Sequence, residues 1–395
     1  MPDTHSTFRI QTLNNIAAAG LDRLPKDRYE VGPGIELPDA ILVRSHSMHE
    51  TSLSSDLLAV GRAGAGVNNI PVERLTERGI PVFNAPGANA NAVKELVLGG
   101  LFLAARNLVA AHEYVRGLED EGEALERAVE AGKKRFVGYE LPGRTLGVIG
   151  LGAIGVEVAN AALGLGMEVI GFDPKITVER AWQLSAAVQQ AVNIEECLCS
   201  ADFLTIHVPL TNETRGLIGP KRLKLLKSSC VLLNFSRSDI VDEAALVEAL
   251  DGGRIATYVT DFPTAAFKRH PRAVCLPHLG ASTAEAEENS AIMVVDNLRQ
   301  YLEHGNVRHS VNFPETILPR TRPARVAIPH ANMPNMVAQI LSALAAENLN
   351  IADMVNHSRG TISYTIVDLD AAVSEATLAR IRSIDGILSA RTCPE

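Results

Sequence analysis

The stretch "TLGVIGLGAIGVEVA", residues 145–159, decides the fold class. Its apolar start, Thr145 to Gly150, reads as a buried strand, and a small-residue helical pattern follows at once. Gly150, Gly152 and Gly155 stand in G-x-G-x-x-G spacing. The first glycine makes a tight strand-to-helix turn. The second lets the backbone approach a pyrophosphate, and the third lets the helix pack on the strand. The helix N-terminus then offers free N–H groups and a positive dipole end to phosphates. The next apolar run, "EVIGFD" (168–173), ends in Asp173, 18 residues past Gly155. A carboxylate there accepts both ribose hydroxyls and repels a 2′-phosphate, so the spacing predicts NAD rather than NADP.

Outward from this turn, short apolar runs alternate with helical patterns. Downstream lie "FLTIHVP" (203–209), "CVLLNFS" (230–236) and "IATYVTD" (255–261); upstream lie "FRIQTL" (8–13), "DAILVRS" (39–45) and "IPVFNA" (80–85). That alternation is βαβ logic and implies parallel sheets. Residues 91–117 read as one long amphipathic helix bridging two domains, and 283–305 as another helix. The proline-rich stretch "NFPETILPRTRPA" (312–324) reads as a linker. The remainder gives strand, helix, two strands, helix and strand, a βαββαβ or ferredoxin-like order.

The chain has 395 residues, room for two or three domains, and the composition of an ordinary globular protein. A net charge of −9 argues against a nucleic-acid surface, so an anionic substrate needs a local Arg/Lys cluster. The five cysteines show neither metal nor redox spacing. The expectation is a reduced, cytoplasmic protein with no metal. The N-terminus has no apolar signal core, and the longest apolar run, 96–105, is too short to span a bilayer.

Two residues suggest the chemistry. Arg237 follows a strand in "LLNFSRSDIVDEAAL", and His278 follows another in "AVCLPHLGAST". By itself Arg237 reads better as a surface loop arginine. Together, at one sheet edge above an NAD site, the pair suits oxidation of a 2-hydroxy acid. The arginine would polarise the carbonyl and grip the carboxylate. The histidine would take the hydroxyl proton as hydride leaves. A second glycine-rich turn, "GRAGAGVNN" (61–69), can form an anion-binding nest from consecutive N–H groups.

The stretches "ILVRS", "VGRAGAGVNNIPV", "TLGVIGLGAIG", "HVPLTNETRGLI", "NFSRSDIVDEAAL", "YVTDFP" and "LPHLGAST" resemble the D-isomer-specific 2-hydroxyacid dehydrogenases. Within them the likeness is to the short branch that ends in an ACT domain, opened here by "HANMP". The resemblance implies an α/β fold of two doubly wound parallel-sheet lobes, one flavodoxin-like for substrate and one Rossmann for NAD, plus a ferredoxin-like ACT domain. Its expected bounds are a substrate lobe of 1–95 completed by about 278–315, an NAD lobe of 96–277, the linker 312–324, and a regulatory domain of 325–395. It implies NAD-dependent oxidation of 3-phospho-D-glycerate to 3-phosphohydroxypyruvate, the first committed step of L-serine biosynthesis.

By resemblance Arg237 and His278 are catalytic. The cofactor is met by Gly150, Gly152, Ala153, Ile154, Gly155, Asp173, His207, Val208, Pro209, Phe235, Ser236, Arg237, Asp261, His278 and Gly280, with Asp261 near the nicotinamide carboxamide. Ala63, Gly64 and Ala65 hold the substrate carboxylate; Arg44 and Arg62 are candidate phosphate grips, Ser45 also belongs to the substrate site, and Lys133, with Lys134 beside it, lies where the family reaches a phosphate across a dimer interface. The lysines read equally as a solvated basic turn. His330, Asn332 and Asn350 match positions that bind an L-serine effector across a paired interface, against the alternative of a purely dimerising ACT domain. A homodimer or homotetramer is expected. One departure stands out. The family places a glutamate about five residues past the Asp261 position, where it orients the histidine and raises its pKa. Here Ala265 or Ala266 fills that slot, and 262–284 contains no Asp or Glu. Two alternatives therefore stay open: a dehydrogenase for a non-phosphorylated acid, and an NAD(H)-binding sensor with weak turnover.

Overall fold

A computed structural model describes residues 7–394, which divide into two compact units, one of the described residues up to 89 together with those from 284 on, and one of 90–283. Residues 1–6, part of the stretch read for a signal core, lie outside the described residues. No helix among the described residues is long and apolar enough to cross a membrane.

The first unit contains a five-stranded parallel sheet of β1 (Phe8–Leu13), β2 (Tyr29–Gly32), β3 (Ala40–Val43), β4 (Ala59–Arg62) and β5 (Val82–Phe83). Their order, β2-β1-β3-β4-β5, is the flavodoxin-like one. All four residues of β3, "AILV", are buried, as expected of a central strand covered on both faces. The helix Ala284–His304 buries Val294, Val295 and Leu298 with Ile10 and Leu42 of this sheet.

The second unit is built on seven parallel strands: β6 (Thr145–Ile149), β7 (Glu168–Phe172), β8 (Gln189–Gln190), β9 (Phe203–Ile206), β10 (Val231–Asn234), β11 (Thr257–Thr260) and β12 (Ala273–Cys275). The order is β12-β11-β10-β9-β6-β7-β8, a Rossmann sheet extended by one strand. Strand order reverses at β6 and β9, so the crevice beyond their carboxyl ends is where such a sheet takes its ligand.

The C-terminal strands β13 (Ala324–Ala331), β14 (Ile351–Arg359), β15 (Ile362–Leu369) and β16 (Arg391–Thr392) form a separate sheet in the order β14-β15-β13-β16. The described pairings of β13 with β15 and β16, and of β14 with β15, are antiparallel. With two helices, Met336–Ala345 and Glu375–Arg382, this is the ferredoxin-like order.

Three expectations change. Residues 91–117 are not one helix. Ala90–Ala105 ends before Asn107, whose φ of 51° breaks the turn, and Leu108–Arg116 starts afresh. Asparagine tolerates that left-handed conformation, while the apolar spacing runs on across it. Second, Ala90–Ala105 buries Val93, Val97 and Leu101 in the second unit's own core, which moves that unit's start to 90 and its end to 283. Third, 312–324 is no free linker. Phe313 and Leu318 join the core that contains Ile10 and Tyr364, and Thr316 is fully buried. Thr316 and Val307 exchange backbone hydrogen bonds of 2.9 and 2.8 Å. The guanidinium of Arg325 is wholly buried. Nε and Nη2 donate to Asp368 at 2.5 and 2.8 Å, and Nη1 donates to the carbonyls of His304 and Leu318 at 3.0 and 2.8 Å. This ion pair ties β13 and β15 to the end of the long helix.

Candidate active site

Six strand ends deliver the candidate residues of the second unit to one edge of its sheet. Gly150 leaves β6 with φ at 91°, and a Cβ there would sit 2.6 Å from the His207 carbonyl oxygen. At Gly155 a Cβ would run into the Gly150 carbonyl. These two glycines are required by the fold itself. Gly152 is different: a Cβ there would meet nothing within 4 Å. Its smallness serves no packing inside the protein, which fits a ligand's close approach. Behind it the helix Ala153–Gly164 has no side-chain cap and no acidic residue in its first turn. Its leading N–H groups are therefore open to phosphate. Asp173, past β7, accepts from Leu151 N–H at 2.8 Å and Lys175 N–H at 2.8 Å. Two backbone donors fix the carboxylate beside the glycine turn, with a lone pair left on each oxygen.

Past β9, His207 bonds the Thr205 hydroxyl through Nε2 at 2.9 Å, while its buried Nδ1 has no partner among the described residues. Burial pushes its pKa down to about 3, so this ring is neutral. Val208 is half-buried, and the Pro209 carbonyl accepts from Thr214 Oγ1 at 2.5 Å. Past β10, Phe235 is buried and Ser236 Oγ donates to the Ile206 carbonyl at 2.6 Å. Arg237 is exposed. Its carbonyl accepts from buried Asn234 at 2.9 Å, which fixes the backbone from which the guanidinium projects.

Asp261 ends β11 and is fully buried. Its Oδ2 accepts from the N–H groups of Leu279 and Gly280 at 3.1 and 3.0 Å, but Oδ1 has no partner among the described residues. Burial raises its pKa, and the Gly280 N–H and the charge of His278 pull it back only in part. A buried carboxylate oxygen without a donor fits an incoming amide N–H, as a carboxamide supplies. His278 is exposed beyond β12, and its ring packs on Phe262. Ala265 and Ala266 are both exposed. The sequence pattern does not single out Phe262; the aromatic directly after Asp261 is its only signal.

In the first unit, a cavity of about 350 Å³ at the end of β1 and β3 is lined by Asn14, Asn15, Arg44 and Ser45. Arg62 Nε donates to the Arg44 carbonyl at 3.1 Å. Gly64 has φ of 148°, and a Cβ there would run into the Arg62 guanidinium. The nest expected at this turn is mostly closed. Ala63 N–H donates to the Val43 carbonyl and Gly64 N–H to the Arg62 carbonyl, each at 2.8 Å, leaving Ala65 N–H as the one of the three without a described bond. Asn14, Asn15 and Glu287, which pairs with Arg44, carry no motif that marks them in the sequence.

The remaining expected residues are not all brought together. Lys133, just past the end of the helix Gly122–Gly132, pairs with Glu130 in that helix's last turn. His330 is buried, with ring nitrogens on the Ala331 carbonyl (2.8 Å) and Thr365 Oγ1 (2.9 Å). Asn332 donates to the Gly360 carbonyl at 3.0 Å. Asn350 donates to Asp370 at 2.6 Å and lies at the other end of this sheet. Its neighbour Ile351 pairs with Leu369, whereas His330 pairs with Ser363. Those positions stand roughly 20 Å apart along the strand. Within one chain the three do not form a single site.

The second unit matches the profile of the D-isomer specific 2-hydroxyacid dehydrogenase NAD-binding domain over residues 98–280. The chain is 36% identical to a D-3-phosphoglycerate dehydrogenase of Methanocaldococcus jannaschii over 80% of its own length and 59% of that protein's. It spans less than two thirds of that relative. It is 33% identical to a D-3-phosphoglycerate dehydrogenase of Haemophilus influenzae, over 96% of this chain and 93% of that one. Among solved structures, the NAD⁺-bound 3-phosphoglycerate dehydrogenase of Entamoeba histolytica superposes with a TM-score of 0.61, at 26% identity, over 78% of this chain and 99% of that chain. A relative that matches nearly from end to end, and a profile that spans both the glycine turn and His278, leave one assignment: the chain belongs to the D-isomer-specific 2-hydroxyacid dehydrogenases and carries their NAD-binding domain.

Proposed function

We propose that the chain oxidises 3-phospho-D-glycerate with NAD⁺, giving 3-phosphohydroxypyruvate, NADH and a proton, and so opens L-serine synthesis. The observation that carries this reading is the delivery of Arg237, Asp261 and His278 by three adjacent strands to the sheet edge that holds the Gly150–Gly155 turn. NAD supplies the hydride acceptor. Gly152 and the helix N-terminus would hold its pyrophosphate, Asp173 its ribose, and the free Oδ1 of Asp261 its carboxamide. Arg237 grips the substrate carboxylate and polarises the C2 oxygen. His278 takes the C2 hydroxyl proton as hydride leaves C2, and returns it in the reverse direction. His207, neutral and bonded to the Thr205 hydroxyl, takes no part in proton transfer. Arg44, Ser45 and Arg62 supply the charge and hydrogen bonds a phosphate needs.

A cytoplasmic homodimer or homotetramer, with L-serine as effector, belongs to the same reading. Because His330 and Asn350 lie far apart in one chain, serine would be held by Asn332 of one copy and Asn350 of another. The test is NADH oxidation with phosphohydroxypyruvate, pyruvate and glyoxylate side by side. Preference for the phosphorylated acid by at least tenfold in kcat/KM supports the reading. Equal use of pyruvate points to a non-phosphorylated substrate, and no turnover points to a sensor.

A further inference from the structure

We propose that Glu287 competes with the substrate's phosphate for Arg44, and thereby sets how tightly the site holds that group. The inference rests on the phosphate role given to Arg44 above. Arg44 leaves the carboxyl end of β3, and Glu287 lies in the first turn of the helix Ala284–His304, 243 residues away in sequence. The fold brings Arg44 Nη2 onto Glu287 Oε1 as an ion pair.

The backbone of Arg44 is pinned while its side chain is not. The Arg44 carbonyl accepts from Arg62 Nε at 3.1 Å and Asn69 Nδ2 at 3.3 Å. The guanidinium has only the Glu287 carboxylate as a partner among the described residues. Both side chains are more than a third exposed, at 37% and 39%. Exposed pairs of this kind are weak and readily exchanged. The same arginine lines the cavity with Asn14, Asn15 and Ser45, groups that can donate to or accept from a bound oxyanion. A swing of the side chain from Glu287 to a ligand costs no backbone movement.

The exchange is selective by charge. A phosphate dianion brings two charges and three acceptor oxygens, so it outcompetes one carboxylate. A monoanion offers Arg44 little more than Glu287 already provides, and a neutral group offers less. Glu287 thus lowers, by a common factor, the affinity of every ligand that must displace it from Arg44. It tunes phosphate affinity without needing to touch the substrate.

The test is calorimetric binding of inorganic phosphate to the full-length protein, wild type and Glu287→Gln, repeated in an Arg44→Met background. Glu285→Gln is the control, removing the same charge from an exposed position in the same first helical turn. Glu287→Gln is expected to tighten phosphate three- to tenfold. The gain should vanish in Arg44→Met, and Glu285→Gln should change affinity less than twofold. In turnover, the KM for phosphohydroxypyruvate should fall, while that for glyoxylate, which has no phosphate to reach Arg44, should change less than twofold. An unchanged or weaker phosphate affinity in Glu287→Gln overturns the proposal, as does an equal gain in Glu285→Gln. Binding is read without catalysis, so the two readings fail separately. A phosphate gain with no phosphohydroxypyruvate turnover sinks the proposed function alone, and turnover with no gain sinks this inference alone.

Discussion

The imidazole of His278 lies against the phenyl ring of Phe262, with centroids 4.7 Å apart and planes 48° from parallel. Its described bonding is confined to the backbone carbonyl, which accepts from Ser282 Oγ at 3.5 Å; no hydrogen bond to the ring is seen among the described residues. Orientation thus comes from ring packing, where relatives use a carboxylate. Phe262→Leu keeps apolar volume and removes the flat face. Misaimed proton transfer costs rate more than binding. The expected outcome is a roughly tenfold drop in kcat with KM changed less than twofold, checked by steady-state kinetics.

Asp261 is buried with one oxygen unsatisfied, and burial raises its pKa above the ordinary carboxylate range. The sign follows from linkage. A carboxyl whose folded pKa exceeds its unfolded one is harmless at low pH, where both states are protonated. It destabilises the fold as pH rises through the window between the two values, and fully above it. Asp261→Asn should therefore raise Tm at pH 7, on the order of 2 °C, and the gain should shrink toward pH 3. An amide N–H facing a carboxamide N–H should weaken NAD at the same time. Thermal scans at both pH values, with NAD titration at pH 7, check the pair of effects.

Asp173 is held by Leu151 N–H and Lys175 N–H, each at 2.8 Å. Asp173→Ser removes the ribose acceptor and the charge that repels a 2′-phosphate. The expected result is a ten- to hundredfold loss of kcat/KM for NAD and a narrower gap to NADP, on the order of one good charged hydrogen-bond pair. Parallel kinetics with the two cofactors measure it.

What the sequence disclosed, and what it hid, follow one physical line. Gly150, Gly152, Gly155 and Asp173 were readable because a strand, a tight turn and a helix are local, so the close approaches at Gly150 and Gly155 and the open face at Gly152 fall at fixed spacing. Arg237 and His278 were readable as a pair, because each directly follows an apolar strand-like run and so falls at the carboxyl edge of one sheet. The break at Asn107 was not, since apolar spacing continues through it. The burial of Phe313 and Leu318 was masked by the prolines around them. The distance from His330 to Asn350 depends on strand pairing, and the pairs Arg44–Glu287 and Phe262–His278 on packing between segments that no spacing records. Nothing in the structure explains why Ala265 and Ala266 stand where relatives carry glutamate.

The buried pair Arg325–Asp368 ties β13 and β15 to the helix that covers the first sheet. Asp368→Asn leaves the guanidinium desolvated with no countercharge. The expected cost is about 3–5 kcal/mol. Chemical denaturation should show the loss as a lower midpoint for the unit containing 284–395, with the unit 90–283 still binding NAD.

The central claim is that His278 moves the proton that accompanies hydride transfer. The direct measurement is NADH consumption with phosphohydroxypyruvate at pH 7 by the wild-type protein and by His278→Gln, with NADH binding followed by fluorescence in both. The expected result is a loss of turnover rate between roughly a hundredfold and ten-thousandfold, the range that general acid–base catalysis contributes, with NADH affinity unchanged within twofold. A His278→Gln protein that turns over at more than a tenth of the wild-type rate would contradict it.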